Sequence, residues 1–547
     1  MTGPATSGMR GWGITWSLVV SLVVLVCLAP LAALLVQLLS SATAVTRIWT
    51  VFSSTTSWLL LLRSIRLALG ATALALALGL PLALFFASIR CRARPLLLLA
   101  HLFPLFLPPF LMALGWYHLL GPHELGRGRS LFAPLASEWG FVVMVGLTYM
   151  PAATGLTLLG LLGVDRGLED AALVDVGPWR TVTRVLLPLA RPAVTLAGLV
   201  IFALSLSELG VASFLRITTY QSLVMAQVGG VAFVPAEALG LLLPMILLGL
   251  ALLGLERRAI GRRSFASLGT SLGGRRTYDL GRWRLPVTIL AWAAALAPSL
   301  PLLGLAWRSG WSGVQLGWNW MGPTLVNTLE ASFWTACLAS ALGLVAGWGL
   351  ARGGRLAGLV DALSFLGFLV PGMVLGVGIV ALWNHQATQF VYGSTLVLVL
   401  GLASRSMILA SRAMAVAVSH SPVSPEEAAL CLDGSYLRLL GRVVLPANAR
   451  WLVAGWILGM VFAMRELSAV VVFYPPGGDT LPLRIFTLEA NGPPRAVAGL
   501  SLIHVAATAL VVGLGLAVAA WTGGRARVRT GRSRGVRPEM SDSRRQS

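Results

Sequence analysis

Charged side chains recur in this chain at a fixed interval of 258 positions: Asp175 with Asp433, Arg180 with Arg438, Arg184 with Arg442 and Glu208 with Glu466. The first copy reads Glu169-Asp-Ala-Ala-Leu-Val-Asp-Val-Gly-Pro-Trp-Arg and closes on Leu187-Pro188. The second reads Glu427-Ala-Ala-Leu-Cys-Leu-Asp-Gly-Ser-Tyr-Leu-Arg and closes on Leu445-Pro446. A polar block kept in duplicate between apolar runs is suited to docking one partner twice. Glu208 and Glu466 are of another kind. They stand within apolar runs, where a charge is costly and marks either a pathway or a structural pair. Two readings follow: the pair helps a cation through, or Glu466 ties to the adjacent Arg465 while Glu208 pairs across helices.

Other chemistry is missing from the sequence. It contains no lysine, so all 41 basic residues are arginine. A phosphate-cradling P-loop needs a lysine to reach the terminal phosphates, so no nucleotide motor is expected here. Schiff-base chemistry goes with it. The six histidines (101, 118, 123, 385, 420 and 504) and four cysteines (Cys27, Cys91, Cys337, Cys431) show no metal-ligand spacing, and no metal site is assigned. No Ser/His/Asp set gathers on one apolar face, and the chain is not expected to be an enzyme.

The elements that must position these residues are membrane helices. With 57% hydrophobic and 11% charged residues and a mean hydropathy of +0.82, the chain cannot be an ordinary soluble domain, which carries roughly 25% charged residues. Twelve apolar runs approach the ~20 residues that span a bilayer: 14–39, 62–89, 96–119, 140–163, 193–215, 236–255, 285–306, 328–350, 359–383, 394–418, 451–473 and 497–521. The first exceeds the 7–15-residue apolar core of a cleaved signal peptide and reads as a retained helix. The arginines gather on one face of this arrangement, which puts both termini and both repeated blocks in the cytoplasm. The net charge of +21 is therefore a matter of topology. Aromatics that could stack on bases are absent from the basic segments, and nucleic acid is excluded as a partner.

Six spans in each half return the chain to its starting side, so the halves form a parallel repeat. The expected fold is an all-α polytopic membrane protein of about twelve transmembrane helices in two parallel six-helix repeats. Residues 1–255 form the first repeat, with its loop at 165–192; 285–522 form the second, with its loop at 422–450. Between them 256–284 reads as a basic, flexible linker, and 523–547 as a disordered Arg-rich tail open to anionic lipid. Each loop is expected to be two short helices meeting at a bend. In the second, Ser424 caps a helix, Pro425 and Glu427 follow, Asp433-Gly434 breaks it, and Leu445-Pro446 ends the next.

These loops resemble the EAA signature of binding-protein-dependent ABC transporter permeases: a Glu-Ala-Ala start, a glycine, then Leu-Pro after a second short helix. From Glu169 to Pro188 and from Glu427 to Pro446 the interval is the same nineteen positions, as in that family. This chain departs from it at Asp170, in place of the first alanine, and at Asp175 and Asp433, where the glycine usually stands. The resemblance covers nearly all of residues 10–522 and extends to the fused permeases of ferric-iron and thiamine importers. It implies the type I importer permease fold in a bacterial inner membrane. It implies coupling loops (Glu169, Asp170, Ala171, Asp175, Gly177 and Pro188; Glu427, Ala428, Ala429, Asp433, Gly434 and Pro446) that dock two ATPase subunits. ATP and Mg would bind those subunits, with no cofactor on this chain. An extracytoplasmic binding protein would dock at 120–139, 216–235, 307–327 and 474–496. Iron(III) is the expected substrate, with thiamine and then a polyamine as alternatives. A rival of another class, an ion-driven secondary transporter, would use inverted repeats and no duplicated cytoplasmic knob.

Overall fold

The computed structural model describes residues 15–40, 49–50, 52–89, 93–121, 131–229, 235–260, 278, 280–354, 356–433 and 435–533. Among them every regular element is a helix. The first half contains α1 (Thr15–Gln37), α2 (Thr55–Ser88), α3 (Arg94–Leu102), α4 (Pro109–Leu120), α5 (Glu138–Leu162), α6 (Arg166–Thr181) and α7 (Leu187–Leu206). It closes with α8 (Gly210–Phe214), α9 (Tyr220–Val228) and α10 (Pro235–Ile260). The second half repeats this order: α11 (Arg284–Leu296), α12 (Pro301–Met321), α13 (Thr324–Ala351), α14 (Ala357–Leu369), α15 (Gly372–Trp383) and α16 (Thr395–Ser419). Then come α17 (Ser424–Asp433), α18 (Tyr436–Leu439), α19 (Leu445–Met464), α20 (Val470–Phe473), α21 (Leu481–Asn491) and α22 (Pro494–Ser533).

Nine described helices are long and apolar enough to cross a membrane, and twelve if each of three bent pairs counts as one span. The chain is a multi-pass membrane protein. Two of the bends are sharp: 106° where α3 gives way to α4, and 109° between α14 and α15. They fall in the third and ninth apolar runs, which the sequence alone reads as ordinary spans. The cause is local. Leu107-Pro108-Pro109 and Val370-Pro371-Gly372 place proline where a helix would need its N–H, and push the preceding residue to extended backbone. Cap residues Leu107 and Val370 have ψ of 150° and 132°, and both are fully buried. Broken backbone at membrane depth is tolerated only where protein covers it, and here protein does.

The boundary between halves in sequence is not the boundary in space. α1 lies against the second half: Trp16 covers Gly349, Cys27 reaches the Ser404 carbonyl, and Pro30 abuts Gly378. In return α11 and α12 lie against the first half. His101 donates through Nδ1 to the Ala295 carbonyl at 2.9 Å, and Ser299 donates to that of Ala100 at 3.0 Å. Gly304 of α12 meets Gly115 of α4 backbone to backbone, so closely that a Cβ at Gly304 would fall 2.1 Å from the Gly115 carbonyl oxygen. A four-charge cluster also crosses the halves. Arg412 of α16 bonds Asp361 of α14 at 3.1 Å and Glu256 of α10 at 2.8 Å, while Arg257 reaches Asp361 at 2.7 Å.

Three sequence expectations shift. The stretch 307–321, read as an outer loop, is helical, packing on α22 through Gly313, Gly317 and Gly499. α22 runs to Ser533, eleven residues past residue 522, where structure was expected to end; 534–547 lie outside the described residues. Arg63 and Arg66, which by sequence lie near the outer end of their span and are expected to snorkel to the membrane surface, both bond Glu138. The close α4–α12 contact yields a test: Gly304→Val should cost about 1–3 kcal/mol by overpacking and lower the melting temperature of the detergent-purified protein, whereas Gly513→Ala, which meets nothing within 4 Å, should leave it unchanged.

Candidate functional site

Both repeated blocks form bent knobs. In the first, Asp165 caps α6 by accepting from Gly167 N at 2.7 Å, and the helix bends at Gly177, whose φ of +76° is a left-handed conformation that suits glycine. The bend therefore belongs to Gly177 and not to Asp175, which is helical and exposed. Asp170 and Ala171 are exposed as well. In the second knob α17 starts at Ser424, one position earlier than a serine cap requires, and ends at Asp433. Gly434 lies outside the described residues. Both tips show bare apolar surface: Val174 is 90% exposed, Trp179 77% and Leu432 88%.

The structure corrects the register at the acidic end. Glu427, paired with Glu169 by the 258 interval, is exposed; the buried acid is its neighbour Glu426. Glu169-Asp170-Ala171-Ala172 overlies Glu426-Glu427-Ala428-Ala429, and Gly177 overlies Gly434, all at an interval of 257. One extra residue after Tyr436 restores 258 at Arg438. Each buried acid is anchored. Glu426 accepts from Trp348 Nε1 at 3.0 Å and pairs with Arg352 at 2.6 Å, both at the end of α13. Glu169 accepts from the Tyr278 hydroxyl at 2.7 Å. Pattern matching on Glu-Ala-Ala hid Glu426, because two glutamates precede the alanines and only burial distinguishes them.

Beyond each knob the chain does not end a helix at Leu-Pro, as expected. It runs on into the next span: Gly167–Leu206 qualifies as one span of 40 residues around the bend at Gly177, and Tyr436–Met464 as one of 29. Five-residue π turns, Val182–Leu186 and Leu440–Val444, come directly before Leu187-Pro188 and Leu445-Pro446. A π turn shifts the hydrogen-bond ladder and so accommodates a residue that has no N–H. In α19 the Asn448 side chain also donates to the Val444 carbonyl at 3.0 Å. Pro188 therefore sits inside a continuous helical rod, whereas the rod that carries Pro446 kinks two positions later at Asn448, whose φ of −115° and ψ of 15° are not helical.

Each rod ends at one of the intramembrane glutamates. Glu208 accepts from Val211 N and Glu466 from Ala469 N, both at 3.1 Å, so each carboxylate turns the chain into a short following helix. Both line one cavity between the halves, together with Phe110, Tyr149, Arg405 and Arg465, with about 40 Å³ of room for water-sized species. That admits a few waters. The glutamates are not equivalent. Glu466 pairs with Arg405 at 3.0 Å, not with adjacent Arg465, whereas no basic side chain among the described residues lies within ion-pair distance of Glu208. Arg405 also donates to the Val370 carbonyl at 2.8 Å, and Arg465 donates to the Leu105 carbonyl and, at 3.0 Å, to the Tyr149 hydroxyl. Both cations come from the second half and clasp the two broken helices. Ser468 closes the ring by donating to the Ser207 carbonyl at 2.9 Å. Among the described residues no group of three or more His, Cys, Asp or Glu is placed to hold a metal ion.

No family model matches the chain. Its relatives are permeases of transport systems. A putative ferric transport system permease protein, FbpB 1 of Haemophilus influenzae, is 25% identical over 428 residues, covering 70% of this chain and 65% of its own. A putative 2-aminoethylphosphonate transport system permease protein, PhnV of Salmonella paratyphi A, is 29% identical over 37% of this chain and 83% of its own. The putrescine transport system permease protein PotI of Escherichia coli is 23% identical over 42% and 88%.

The corrected register has a direct test. Glu426→Ala, which leaves the half-buried Arg352 and the buried Trp348 indole without their acceptor, should cost about 2–3 kcal/mol, whereas Glu427→Ala should stay within about 0.5 kcal/mol; thermal unfolding of the two variants reads the difference.

Proposed function

We propose that this chain, a permease of the binding-protein-dependent ABC transport systems and of their fused two-repeat kind, carries iron(III) inward across a bacterial inner membrane. Its importer class is the premise; the substrate, the partners' number and the roles of residues are the reading. Each bent knob docks one ATPase subunit, two in all, through the exposed Val174, Trp179 and Leu432. ATP and Mg bind and react on those subunits. Both termini lie in the cytoplasm, and a loaded binding protein docks outside, where the short helices α9 and α21 sit.

One observation carries this reading: past its bend, each knob's second short helix passes through a π turn into the helix that ends at the cavity, with a kink at Asn448 in the second half. Movement of a knob therefore moves the wall of that cavity. In the resting state the cavity is narrow and its charges offset one another, two carboxylates against two guanidinium groups. Such a state resists leakage of ions. Since Arg405 already neutralises Glu466, Glu208 is the carboxylate that meets the cation, and Glu466 is a structural tie. The likeness to a ferric permease over 70% of the chain supports iron. A second reading, an aminoalkylphosphonate, draws on the 29% identity with PhnV and on the two arginines in the cavity.

Reconstitution of the chain with its ATPase in liposomes tests the proposal. ATP hydrolysis should rise when the binding protein is loaded with iron(III), and not with thiamine, putrescine or 2-aminoethylphosphonate; a response to the phosphonate alone would overturn iron. Val174→Asp combined with Leu432→Asp should abolish co-purification of the ATPase, since each buries an unpaired charge in the contact. Glu208→Gln should lower uptake roughly tenfold without altering thermal stability, the loss expected for one charge-assisted contact. Glu466→Gln, by contrast, should destabilise by about 3 kcal/mol because it leaves Arg405 unpaired.

A further inference from the structure

We infer that Tyr278, in the segment joining the two halves, is a positioning residue that seats the first coupling knob, in the place that Arg352 takes for the second. The inference rests on the coupling reading of the loops. Both knobs bury one glutamate against the cytoplasmic end of the second span of their own half. In the second half that span, α13, carries its own donors: Arg352 Nη2 lies 2.6 Å and Nε 3.1 Å from Glu426, and Arg352 also donates to the Ser421 carbonyl at 3.1 Å. In the first half the matching helix is α2. Gly79 of α2 packs on Ala153 as Gly343 of α13 packs on Ala410, and this pairing places Ser88 where Arg352 stands.

Ser88 is too short to reach a carboxylate on the knob, and α2 has no basic residue in its last turn. Glu169 is nevertheless buried, with 1% of its surface exposed, and a carboxylate at that depth needs a donor. Tyr278 supplies one from outside the helix. Its backbone N–H donates to the Ser88 carbonyl at 2.9 Å, which fixes the residue on the end of α2, and its hydroxyl donates to Glu169 Oε1 at 2.7 Å. The phenol spans the gap that a longer side chain at position 88 would have filled. The joining segment is therefore more than a tether: one of its residues belongs to the force-transmitting contact of the first half. The donors differ in kind: a neutral hydroxyl reaches Glu169, and a guanidinium with an indole reach Glu426.

The test uses the full chain, co-expressed with its ATPase and reconstituted with the loaded binding protein, and reads iron(III) transported per ATP hydrolysed. Tyr278→Phe keeps the ring and removes only the hydroxyl; it should lower that ratio at least about threefold while the ATPase still co-purifies, since a hydrogen bond to a charged group is lost. Tyr278→Arg should restore the ratio by recreating the Arg352 arrangement. A residue with a merely structural role would change the melting temperature of the complex and leave the ratio alone. An unchanged ratio in Tyr278→Phe, with the ATPase still dependent on Val174 and Leu432 for binding, would overturn this inference and leave the coupling reading intact. ATPase binding that survives aspartate at both tips would instead overturn the coupling reading itself.

Discussion

A proline cannot donate to the helix ladder, yet the helix behind each knob must run on past one; much of this protein is organised around that conflict. At Pro188 and Pro446 the chain meets it with a π turn, so that the second short helix of each knob runs on into the span behind it, kinked in the second half at Asn448. At Pro108 and Pro371 it does not resolve it, and the helices break by more than 100°. The same residue type thus yields stiffness where the knobs feed the membrane and a fold where the two halves meet. From Trp179 to Leu206 a helix rises ~1.5 Å per residue, so the rod extends across most of a bilayer.

The broken helices leave carbonyls without intrahelical partners, and these would be intolerable in hydrocarbon. Arg405 and Arg465 satisfy them at Val370 and Leu105. Those same guanidinium groups, with Glu208 and Glu466, line the cavity between the halves. On the proposed function, the side chains that stabilise the broken helices are also those that line the gate. Both cations belong to the second half, where the first has Ser207 at the place of Arg465. Fusion into one chain allows such division of labour, because the halves need no longer be alike. The exchange of α1 and of α11–α12 between halves serves the same end, since neither half completes its packing alone.

Much of the architecture was legible because membrane burial writes itself plainly into composition: runs of apolar residues mark the spans, and the duplicated polar block stands out against them. Legibility ended where the outcome depended on a partner far away in sequence. The two breaks were hidden because proline in an apolar run is compatible with a kinked span as well as with a broken one, and only Arg405 and Arg465 decide. Glu426 was hidden behind Glu427 because both precede the alanines, and Trp348 and Arg352 lie more than seventy positions upstream. The Leu-Pro pairs read as helix ends by propensity; the π turns that carry the helix through them leave no mark in composition. The two intramembrane glutamates were legible as a pair but not as unequal, since Arg405 is sixty-one positions from Glu466.

The central claim is that each rod moves as one piece. Spin labels at Trp179 and Leu199, and at Leu437 and Trp456, would report distances within each rod, roughly 30 Å apart by helical rise; labels at Trp179 and Leu437 would report the distance between knobs. When the partner ATPase is trapped with ATP, the distance between knobs should shorten while both distances within the rods stay fixed. A change within either rod, with the knobs unmoved, would contradict the account.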